Sequence, residues 1–91
     1  MVLRIEQVPS ESETILMLIG RITSPDVQQL KALLAVVPAP VALDLREVRL
    51  VDLDAAHFLA AAERSGIELR HLPQYVREWV LLETARLAEA E

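Results

Sequence analysis

Val41-Ala-Leu-Asp-Leu-Arg-Glu-Val-Arg-Leu-Val-Asp-Leu-Asp-Ala-Ala-His-Phe-Leu59 is the stretch on which the fold turns. Val41 to Leu45 reads as a buried strand, the residues after it as a short polar connection, and Asp52 to Asp54 as the opening of a helix. Two acids then sit at the positive end of a helix dipole, just past the carboxyl end of a central strand. In open α/β sheets that crevice is where ligands and partners dock.

Upstream, Leu3, Ile5 and Val8 alternate with Arg4, Glu6 and Gln7, the pattern of a half-buried strand. Pro9 to Glu13 is a polar turn, and Thr14-Ile-Leu-Met-Leu-Ile19 is a continuous apolar run that reads as a more deeply buried strand. The short turn predicts an antiparallel hairpin. Thr23-Ser24-Pro25-Asp26 is a helix start, with a hydroxyl cap, a proline in the first turn and an acid beside the positive end. Val27, Leu30, Leu33 and Leu34 follow at helical spacing, and Val36 to Pro40 closes that helix.

Downstream, the alanines between Asp54 and Ala62 predict a helix lying close to the sheet, stopped by Ser65-Gly66. Ile67 to His71 alternates as a strand. Pro73 opens a last helix with Val76, Trp79, Val80 and Leu82 or Glu83 along one side, and residues 83–91 either prolong it or fray. The order is β-β-α-β-α-β-α. Strand–helix–strand alternation from Thr14 onward implies right-handed parallel crossovers, hence an α/β fold with a mixed four-stranded sheet.

Ninety-one residues make a single domain, 1–91, with no room for a second core. The 53% hydrophobic share is enough for a compact core and far from a disordered composition. A formal charge of −5, with basic residues scattered among acids, argues against nucleic acid, whose phosphates need clustered Lys and Arg. Without cysteine there is no disulfide, thiol nucleophile or thiolate zinc site. Met1 to Glu6 lacks a signal-peptide core, and the longest apolar run is too short to span a bilayer. These features fit a cytoplasmic protein without membrane insertion.

The chain resembles the STAS domain, the fold of bacterial anti-sigma factor antagonists. In that family a hydrophobic strand ending in Asp-Leu is followed by an Asp-Ser-Ser-Gly or similar turn that starts a helix. Here Asp44-Leu45 is followed by the turn Asp52-Leu53-Asp54-Ala55. Leu18-Ile-Gly-Arg-Ile22 before a capped helix is similar to the family's second strand and first helix. Ser65-Gly-Ile-Glu-Leu-Arg70, then Leu72-Pro73, is similar to its final strand–helix unit, so the likeness covers nearly the whole chain. The resemblance implies a STAS-like fold and a protein-binding function at the rim formed by Thr23, Ser24, Asp26, Arg46, Asp52, Asp54 and His57. The partner it implies is a kinase-type anti-sigma factor.

On this alignment Asp54 stands where many family members phosphorylate a serine. A phosphoserine carries about −1.5 to −2 charges that a helix start tolerates, whereas aspartate supplies a permanent charge of about −1. Some STAS domains without the serine are subunits of lipid-transport ABC systems bound to an ATPase, and nucleotide binding has been proposed for parts of the family. No phosphate-cradling glycine loop exists here, since the chain has only two glycines.

Each residue also has a plainer reading. Asp54 reads equally as a helix cap, Asp52 as a cap or an orienter of the turn, and Thr23 and Ser24 as caps or substitute phosphosites. His57 and His71 lack a third metal ligand at recognisable spacing and read as surface or half-buried histidines. Trp79 and Tyr75 offer a recognition patch, but the alignment of Trp79 with Val76 and Val80 favours the core. No carboxylate pair is accompanied by a nucleophile, base or metal motif. The expectation is therefore binding without catalysis, cofactor or metal, with strand edges that allow a homodimer.

Overall fold

The computed structural model describes residues 3–90. The elements are β1 (Arg4–Val8), β2 (Thr14–Ile22), α1 (Ser24–Leu34), β3 (Val41–Val51), α2 (Leu53–Arg64), β4 (Glu68–Arg70) and α3 (Gln74–Ala90). They build an α/β fold around one four-stranded mixed sheet in the order β1-β2-β3-β4. The β1–β2 pair is antiparallel, and β2–β3 and β3–β4 are parallel. The order of elements and the strand directions agree with the sequence reading. Glu91, at the end of the segment read as prolonged helix or frayed tail, lies outside the described residues, as do Met1 and Val2. The rest of that segment continues α3 as far as Ala90.

The crossovers β2-α1-β3 and β3-α2-β4 step in the same direction across the sheet. Their right-handedness puts α1 and α2 on one face. One core cluster joins Leu16, Leu18 and Ile22 of β2, Leu43 and Leu45 of β3, Leu30 of α1, Leu59 of α2, and Val76 and Val80 of α3. The small residues Ala55, Ala56, Ala60 and Ala62 are buried, which lets α2 lie close to its neighbours as the sequence predicted.

Three details differ from the sequence reading. First, β3 does not stop at Leu45 but runs to Val51, so the stretch read as a polar connection is strand. Its pairing with β2 is irregular between Met17 and Ile19 and again between Gly20 and Arg21. Extra residues at these two steps shift the alternation, and a broken period of two reads as loop. Second, Trp79 is 44% exposed rather than in the core. The buried stripe of α3 is Val76, Val80 and Glu83, with Leu87 packed against it, and Trp79 falls to one side of that stripe. Tyr75 is also exposed, and its hydroxyl donates to the Val48 carbonyl at 3.2 Å. Third, the apolar run Thr14–Ile19 is not buried on both sides: Thr14, Leu16 and Leu18 are buried, whereas Ile15, Met17 and Ile19 are half-buried. The latter three face the side of the sheet away from the helices.

Candidate functional site

Parallel strands deliver the ends of β2 and β3 to the same rim, where Ile22 pairs with Val51. The Ile22 carbonyl accepts from the Asp52 backbone N–H at 3.2 Å. The two helices that follow therefore start side by side. Each start leaves backbone N–H groups without partners inside its own helix.

At α1 the capping is local. The Asp26 carboxylate accepts from the Thr23 backbone N–H and from the Thr23 hydroxyl, both at 2.9 Å. At α2 it reaches across the rim. Asp52 is the N-cap: one carboxylate oxygen accepts from the Ala55 N–H at 2.9 Å, and the other accepts from the Ser24 N–H at 2.8 Å. A single side chain thus ties both helix starts together, in the field of two positive dipole ends that favours its negative charge.

Asp54 is in the first turn of α2, exposed, and the capping role that the sequence left open for it belongs to Asp52. Its carboxylate borders a cleft of about 270 Å³ between α1 and α2. Ser24, Val27, Gln28 and Lys31 line one wall at helical spacing, and Asp54, His57, Phe58 and Ala61 line the other. The floor is apolar, since Val27 and Phe58 are nearly buried, and the lip carries both charge signs through Asp54 and Lys31. Such a lining suits a protein segment with an apolar anchor and a polar rim.

His57 is held from behind. Its Nδ1 lies 3.2 Å from Oε1 of Glu83, whose other oxygen accepts from Arg86 at 3.1 Å. Glu83 is 4% exposed, one of few charged residues in the interior, and these two partners satisfy it. The pair anchors α3 against the helix that forms half of the cleft.

The structure brings Thr23, Ser24, Asp26, Asp52, Asp54 and His57 together at the rim. It does not bring Arg46. With β3 extended to Val51, Arg46 lies five residues before the strand end and binds Asp44 through its Nε at 3.2 Å and Nη2 at 3.1 Å. Lys31, Gln28 and Phe58 line the cleft without having been singled out by sequence. The i, i+3, i+4, i+7 spacing from Ser24 to Lys31 was the signal that would have found the first two. Among the described residues, no group of three His, Cys, Asp or Glu side chains converges as a metal site requires, and no helix is long and apolar enough to cross a membrane. The chain matches no protein-family model, and no curated protein matches it.

Proposed function

We propose that this chain is a non-catalytic regulatory module that binds a protein partner at the rim where α1 and α2 begin, in the manner of STAS-type anti-sigma factor antagonists. The observation that carries the reading is the division of labour between two acids. Asp52 holds the rim together through Ala55 and Ser24, which leaves the exposed Asp54 charge available to a partner at the position of the family's serine. A fixed carboxylate cannot be switched by serine phosphorylation, so the module acts as a constant, partly phospho-like form. The partner class implied by the resemblance is a kinase-type anti-sigma factor in the cytoplasm.

A second reading, a subunit bound to the ATPase of a lipid-transport ABC system, draws support from the exposed Tyr75, Trp79 and Leu82 of α3. Spaced i, i+4 and i+7, these form an apolar stripe outside the rim, and aromatic residues are enriched at interface hot spots. Affinity capture from the native cell with wild type, Asp54→Ser and Asp54→Lys separates the two. Capture of a kinase-type anti-sigma factor, tighter with Asp54→Ser and lost with Asp54→Lys, supports the rim reading. Capture of a transporter ATPase indifferent to both substitutions supports the second. A phosphate found on Asp54 that controls binding would sink the fixed-charge model.

A further inference from the structure

We infer that two copies of this chain associate face to face through the sheet surface that carries no helix. Strand register defines that surface. Arg4, Ile19 and Glu47 form one row across β1, β2 and β3, and Glu6, Met17 and Asp44 form the next. Val8, Ile15 and Ala42 form the third. Residues paired across neighbouring strands point to the same side of a sheet. The central column, Ile15-Met17-Ile19, is half-buried and absent from the core cluster, so all three rows lie opposite the helices. A parallel strand that is apolar on both sides is normally covered on both sides.

The flanking charges select the occupant. Sheets stack about 10 Å apart in near-aligned packing. A two-fold axis running along β2, between two stacked copies, places each central residue over its own counterpart. It also places β1 of one copy over β3 of the other at the same level. Arg4 then meets Glu47, and Glu6, level with Asp44, meets the ion pair that the nearly buried Asp44 makes with the exposed Arg46. Val8 meets Ala42. Each pairing occurs twice by symmetry, so the face is complementary to itself, as an isologous interface must be. In the single chain Arg4 and Glu6 pair with each other on the surface, with side chains 71% and 43% exposed, a contact easily exchanged. Four strands at a spacing of about 4.8 Å make a face at the small end of specific interfaces, so the dimer dissociates on dilution.

Sedimentation equilibrium from micromolar to millimolar protein tests this. The wild type should show a reversible monomer–dimer equilibrium, and Met17→Glu should remain monomeric throughout with an unchanged circular dichroism spectrum. Arg4→Glu should weaken the dimer, and adding Glu47→Arg should restore it, independently of whether Met17→Glu folds. Because the chain has no cysteine, Met17→Cys provides a single thiol on the axis, and a short bifunctional thiol reagent should link two copies through it, the sheet spacing being too wide for a direct disulfide. Val36→Cys, at a 77% exposed position after α1, should not be linked. A wild type that stays monomeric at millimolar concentration overturns the inference and leaves the face to a different protein. A dimer that survives both Met17→Glu and Arg4→Glu overturns it as well.

Discussion

The first turns of α1 and α2 lie side by side at one rim, yet their acids are engaged differently. At α1, Thr23 and Asp26 bond each other within four residues, and the Ser24 N–H of that start is taken from outside, by Asp52. At α2, Asp52 serves two helices at once, while Asp54 has no part in the capping. Carboxylates two positions apart in sequence thus separate into a structural and an available one. A binding surface that must stay rigid while presenting charge needs both.

The comparison breaks if the two starts prove energetically equivalent. Asp52→Ala should have the largest effect, because it removes a cap and a charge-assisted bond to a second helix. We expect a loss of about 2–3 kcal/mol, which lowers Tm by on the order of 10 °C in thermal unfolding of a domain this size. Asp26→Ala, which disturbs only α1, should cost about 1 kcal/mol in the same assay. Equal losses would show that the contact between Asp52 and Ser24 contributes nothing in solution.

Asp54→Ser sharpens the contrast from the other side. As an exposed position without a capping role, it should change stability by no more than about 0.5 kcal/mol in denaturant titration while altering partner affinity. A large destabilisation would mean that Asp54 is structural after all. The smallest effect is expected at α3. Partial burial raises the pKa of the Tyr75 hydroxyl above its usual value, against a smaller opposing effect of Arg49. The folded state therefore favours the neutral phenol. Its contribution is fully present below the unfolded value of about 10 and is lost as pH rises through the higher folded value. Stability measured from pH 8 upward should fall more steeply for wild type than for Tyr75→Phe; parallel curves would remove this assignment.

The order of elements was legible because local signals agreed with one another. The Thr23–Asp26 start, the Ser65-Gly66 stop and the hairpin turn before Thr14 each encode a boundary within a few residues. The length of β3 was not legible, because its irregular pairing with β2 hides the alternation and becomes visible only beside the partner strand. That error also misplaced Arg46, which the longer strand keeps away from the rim. Trp79 misled for a related reason: helical spacing limits which residues share a stripe but not where the stripe's centre faces. Packing of α3 against the rest of the core put Val76, Val80 and Glu83 at that centre.

The sequence by itself determined the α/β class, the sequence of strands and helices, and the presence of acids at the start of α2, because propensity, capping and turn chemistry act over a few neighbouring residues. Only the tertiary structure decided which acid holds the rim, where the α3 stripe faces and which side of the sheet stays bare. Those outcomes depend on groups far apart in the chain, such as Ser24 with Asp52 and His57 with Glu83, whose meeting is set by crossover handedness and packing.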